Sequence, residues 1–211
     1  MGKPARPSFP VRSVSRRLED PVIDLTSLFL HVLAAIGLVA GGLAQVMAGS
    51  RLRTAESGSE LLAWTRFTRT AGWLVAASAA LSLLTGGHLA GAVWGGEAGG
   101  FANPFITLGL VGLIVLVPIG PAVGERRFRR LAEAAAELGE STASERLHRA
   151  ARSPALWGPV HSLVGVGVGQ VALMVYKPGW LVGALVLVLT FAAGWVAGSA
   201  VAARSAPAAH G

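Results

Sequence analysis

Cysteine is absent from the 211-residue chain, which excludes structural disulfides, thiolate metal sites and a cysteine nucleophile. Charge is scarce: only 14% of residues are Asp, Glu, Lys or Arg, against about 25% in a soluble chain. Acidic residues are scarcer still, 11 against 18 basic, and none falls inside a long apolar run, so nothing supports a carboxylate proton relay within a membrane. Soluble-enzyme signatures are missing as well. There is no glycine-rich phosphate loop ending in Lys-Ser/Thr, no His-Glu-x-x-His and no Gly-x-Ser-x-Gly. These absences do not point to an enzyme.

Apolar residues make up 53% of the chain, with 28 glycines. Five stretches hold no charged residue at all: Leu25 to Ser50, Thr70 to Gly96, Ala98 to Gly124, Ser153 to Tyr176 and Pro178 to Ala203. Each exceeds the ~20 apolar residues that carry a helix across a ~30 Å hydrocarbon layer. None shows the charged face that a water-exposed helix repeats every 3.6 residues. In lipid the backbone must satisfy its own hydrogen bonds, so each run is read as a helix. The expected fold is all-α: a polytopic transmembrane bundle of five spans, at about 25–49, 70–93, 103–123, 154–176 and 179–203. Residues 1–20 form an N-terminal tail and 204–211 a C-terminal one. The first run is too long for the apolar core of a cleaved signal peptide.

Local signals set the boundaries. Asp20-Pro21, Asn103-Pro104 and Ser153-Pro154 each pair a capping side chain with proline at the first helical position. Ser57 with Glu60 reads as a capping box that starts the second helix ahead of the membrane, and Thr142 with Glu145 as another. Residues 95–100 (GGEAGG) read as a loop, Tyr176 to Trp180 as a tight turn, and Pro118 and Pro121 as a kink or end of the third helix.

Between the third and fourth runs, residues 124–153 predict a short amphipathic helical excursion. Phe128, Leu131, Ala135 and Leu138 form one stripe among Arg and Glu. The basic loop 125–152 is expected to lie on the membrane surface or the bundle, with docking of a membrane or cytoplasmic protein partner as the alternative. With a net charge of +7, the expected partner is the lipid bilayer and its anionic headgroups, and no nucleic acid is expected. One side of the membrane would hold six basic residues and the other twelve: four in 51–69, seven in 125–152, and Arg204. The positive-inside rule therefore places the N-terminus outside and the C-terminus inside a cytoplasmic (inner) membrane. Gly-, Ala- and Arg-rich usage suggests a bacterial source.

Polar groups inside the runs are the candidate functional residues: His31, Gln45, His88, His161 and Gln170. His31 and His88 are expected at similar depth on neighbouring helices, an arrangement that suits axial ligation of haem or binding of a transition metal. His88 follows Gly86-Gly87, so a loop position is open too, and interhelical hydrogen bonding is the competing role for every one of these residues. Gly37 and Gly41, Gly165 and Gly169, and Gly194 and Gly198 form G-x-x-x-G faces for close helix packing.

The run Leu28-Phe29-Leu30-His31-Val32-Leu33-Ala34-Ala35-Ile36-Gly37 resembles the opening helix of a loose group of small bacterial membrane proteins. The group includes copper-resistance D-like proteins, membrane protoporphyrinogen-oxidase-like proteins and several families with no assigned activity, to which the likeness is greatest. Leu83-Leu84-Thr85-Gly86 is similar to the end of their second helix. The resemblance implies that His31 matches a first-helix histidine tied to haem in the oxidase-like branch, with haem b as the candidate cofactor. The chain departs from that branch in having no Trp between Gly37 and Gly42. The readings carried forward are a haem- or metal-handling membrane protein, a non-catalytic membrane subunit or scaffold, and a small-solute transporter or channel.

Overall fold

The computed structural model describes residues 21–95, 99–119 and 124–204. Every regular element among them is helical: α1 (Pro21–Thr54), α2 (Gly58–Ala92), a 3-10 turn (Gly100–Ala102), α3 (Pro104–Ile119), α4 (Arg126–Leu138), α5 (Glu145–Ala151), α6 (Pro154–Tyr176) and α7 (Trp180–Arg204). Four helical segments are long and apolar enough to cross a membrane: α1, α2, the segment ending in α6, and α7. The third charge-free run yields the shorter α3, 16 residues or ~24 Å at 1.5 Å each. Pro121 and the end of the expected span at 123 lie outside the described residues, as do the two tails and residues 96–98.

Two antiparallel hairpins make the bundle, α1 with α2 and α6 with α7, and α3 packs against α6, α7 and α2. Glycine permits the close contacts. A methyl on Gly41 would meet the Ala71 carbonyl oxygen at 3.2 Å, and one on Gly37 would run into the Ser78 hydroxyl. Gly165 lies against the Thr190 carbonyl, Gly169 against the Thr190 side chain, Gly194 against the His161 carbonyl and Gly198 against the Trp157 carbonyl. Helices in lipid gain no hydrophobic drive from each other, so close backbone contact supplies their attraction. The opposite faces are bare: Leu84 is 74% exposed and Leu181 73%. Such faces suit a hydrocarbon surround.

Both ends of the bundle are fixed by named contacts. At one end the α1–α2 corner is bonded to the α4–α5 corner: Gly58 N to Ser141 O at 3.1 Å, Ser59 N to Gly139 O at 2.7 Å, and Ala143 N to Glu56 O at 2.8 Å. Arg152 donates twice to the Arg53 carbonyl there, at 3.1 Å each. At the other end Lys177, in the left-handed conformation (φ 45°), turns α6 into α7 and sets its ammonium 4.6 Å from the Trp94 ring and 6.0 Å from Phe105. Phe105 therefore stands at the Lys177 end, and Glu125, bonded to Arg69, at the end that holds α4 and α5. The first turn of α1 and the last turn of α7 lie at opposite ends.

Three local expectations need adjusting. The first two helices extend beyond the charge-free runs, because water-facing turns continue the same hydrogen-bond ladder. Ser57 caps α2 through Glu60 N at 3.2 Å, but the Glu60 carboxylate reaches Glu56 N, one residue before the expected partner, at 3.1 Å. Ser144, not Thr142, caps α5, accepting from Leu147 N at 3.4 Å. Thr142 instead pairs with Ser57 across the two corners.

Helix α4 does not float. Its stripe of Phe128, Leu131 and Ala135 is buried with Leu61, Leu156 and Trp157 in a core that resembles that of a soluble domain. Trp157 is fully buried, its ring edge-on to Phe128 and its indole N–H donating to the Ala151 carbonyl at 2.6 Å.

Candidate functional site

Of the five polar residues singled out within the runs, four reach across to a second helix and His161 bonds within its own. His31, on α1, places Nδ1 3.1 Å from the Thr85 hydroxyl of α2. That hydroxyl has one proton, and it goes to the Leu81 carbonyl at 2.7 Å. With that proton on Leu81, His31 Nδ1 donates to the hydroxyl, and the pair links α1 to α2. Gly86 makes room for the imidazole, since a methyl there would stand 3.0 Å from its Cε1.

His88 lies inside α2, which ends at Ala92, so the helical placement holds and the loop placement does not. Its Nε2 is 2.9 Å from Asp24 Oδ1 on α1, each side chain about one-third exposed (34% and 30%). The two histidines thus take separate partners across the same pair of helices. Asp24 was not among the sequence candidates. The available signal was its spacing, two helical turns ahead of His31 and so on the same face of α1.

Gln45 and Gln170 tie helices together as donors. Gln45 Nε2 donates to the Thr68 carbonyl of α2 at 3.2 Å, close over Gly72. Gln170 Nε2 donates to the Gly109 carbonyl of α3 at 2.9 Å. His161 Nδ1 turns back within α6 to the Trp157 carbonyl at 2.9 Å. Among the described residues, no group of three His, Cys, Asp or Glu stands close enough to hold a metal ion.

The second concentration of chemistry is the charged end. Twelve of the thirteen basic residues among the described positions belong to it, all arginine; Lys177 is at the opposite end. Arg69 of α2 is paired in a fork with Glu125, just ahead of α4, with the Nε–Oε2 contact at 3.2 Å. Arg129 with Glu133 and Arg149 with Glu145 are pairs one helical turn apart on exposed faces. Arg53 is the exception to exposure, at 5%. Its guanidinium carbon lies 5.0 Å from the centre of the Trp157 ring, and Nε and Nη1 have no hydrogen-bond partner among the described residues. Sequence reading missed Arg53 because an arginine at a helix end looks like an interfacial anchor.

A family model described as "Predicted integral membrane protein (DUF2269)" matches residues 25–178. No curated protein matches the chain, and no solved structure does.

Proposed function

The chain belongs to the DUF2269 family of predicted integral membrane proteins, and from that premise we propose a non-catalytic, five-crossing subunit or scaffold of the cytoplasmic membrane, with its arginine-rich end in the cytoplasm. The observation that carries the reading is the use made of the intramembrane polar groups. His31, Gln45, His88 and Gln170 each bridge two helices, and His161 bonds back within its own. Bonds of this kind hold a bundle together. The unspent chemistry is the arginine of the capped end, outside the bilayer, where another protein can meet it.

The fifth crossing is assigned to α3. The supporting argument is that the chain changes ends between Phe105 and Glu125, as it does along each of the four longer segments. A ~24 Å helix crosses most of a ~30 Å layer. The positive-inside rule then gives the orientation. Since the chain has no cysteine, single-cysteine labelling tests this directly. Phe101→Cys should react with an impermeant maleimide in intact cells, and Ser141→Cys only after the membrane is opened. Labelling of both from one side would overturn the fifth crossing; the reverse pattern would overturn the orientation.

A second reading rests on the imidazole of His31, the kind of ligand a haem iron or a transition metal takes, and on the likeness of the first helix to oxidase-like and copper-resistance D-like proteins. An absorption spectrum separates the two. The structural reading expects a colourless protein; a Soret band that disappears in His31→Ala would replace it with haem binding.

A further inference from the structure

A groove of about 610 Å³ at the charged end lies between α4, α5 and the start of α6. Three arginines line it, Arg127 and Arg130 on α4 and Arg146 on α5, with Ser144 and Ser153 between them and Leu156 at its base. Among the described residues no Asp or Glu lines it. Among the described residues none of these arginines has an ion pair, whereas their neighbours Arg129 and Arg149 do. The positions follow from helical spacing: Arg127 and Arg130 are three residues apart and share one face of α4, while Arg129 turns to Glu133 on another.

The position is as informative as the charge. Ser153 begins the charge-free run of α6, so the groove opens where that helix enters the apolar layer. The first turn of α6 adds to the positive field, since Ala155 N–H, following Pro154, has no carbonyl within the helix to bond. Three guanidinium groups without an ion pair among the described residues, beside Leu131, Leu147 and Leu156 and at the rim of a bilayer, match a molecule with an anionic head and an apolar body. We propose that this groove is a binding site for the phosphate headgroup of an anionic phospholipid, held by Arg127, Arg130 and Arg146 and drawn from the leaflet on the arginine-rich side. The site requires the membrane placement of α6 and is independent of the scaffold reading.

The test uses the full chain, purified in a neutral detergent and stripped of lipid. Native mass spectrometry would follow its titration with phosphatidylglycerol, with phosphatidylcholine and with inorganic phosphate. Phosphatidylglycerol should bind about tenfold or more tightly than phosphatidylcholine, given the charge–headgroup attraction of three arginines. The preference should vanish in Arg127→Gln/Arg130→Gln/Arg146→Gln. It should survive in Arg126→Gln/Arg129→Gln/Arg149→Gln, which removes the same charge outside the groove, and circular dichroism of both triples should match the parent. Equal binding of the two lipids, or equal loss of preference in both triples, would overturn the site. Complete competition by inorganic phosphate would overturn the lipid as its source. If the first triple loses helix, Arg146→Gln alone, on the short exposed α5, decides: retention of the full preference rejects the site.

Discussion

Glycine and histidine govern the interior in opposite ways, one by leaving room and the other by filling it with a bond. Gly194 lies against the His161 carbonyl and, at the position of a methyl, 2.8 Å from Ser162 Cα, both backbone atoms that cannot swing aside. Gly194→Val should therefore destabilise the protein by about 1–3 kcal/mol, the usual cost of overpacking. Gly87 has nothing within 4 Å of its missing side chain, so Gly87→Ala should be neutral or gain up to about 1 kcal/mol from helix propensity. Thermal unfolding in detergent compares the two directly. The His31–Thr85 pair belongs to the same argument. A double-mutant cycle of His31→Ala and Thr85→Ala should give a coupling of about 0.6 kcal/mol, typical of a hydrogen bond between membrane helices. A coupling near zero would remove the bond from the account of α1 and α2.

Helix α4 shows how much of an element is readable before its neighbours are known. The stripe of Phe128, Leu131 and Ala135 is plain in the sequence because one face repeats with the helical period. What that stripe covers is not plain, since a membrane surface and a protein surface ask for the same apolar face. The water-side extensions of α1 and α2, the start of α6 and the end of α7 provide a protein surface, and the stripe is spent on them. Leu131→Ala should accordingly cost about 2–4 kcal/mol, as for a buried leucine in a packed core, and speed amide exchange along α4. Arg69→Ala breaks a pair about one-third exposed and should cost less than about 1 kcal/mol. Equal exchange rates in both variants would mean that the pair to Glu125, rather than the apolar stripe, holds α4 in place.

The proposed orientation of the bundle rests on its charge distribution, to which α4 contributes four closely spaced arginines. Replacing Arg126, Arg127, Arg129 and Arg130 with Gln lowers the arginine-rich side from twelve basic residues to eight, against six on the other. The positive-inside bias then nearly disappears, and a measurable fraction of the chain should insert inverted. Accessibility of Ser141→Cys from outside intact cells would report that fraction. Unchanged labelling would mean that the folded corner between Glu56 and Ala143, rather than charge, fixes the topology.

The amino-acid order alone determined that this is a helical membrane protein and roughly where its helices lie. The reason is energetic: hydrocarbon tolerates neither stray charge nor unpaired backbone, so the charge-free runs are forced into helices. It also revealed which residues are polar inside those runs. The partners were decided only by the tertiary structure. Depth and face are properties of one helix, but whether His88 meets His31 or Asp24, or whether Arg53 finds an acid or an indole, depends on distances between helices far apart in the chain. Small differences in helix rotation change those distances by several ångströms, and nothing in a single sequence records them.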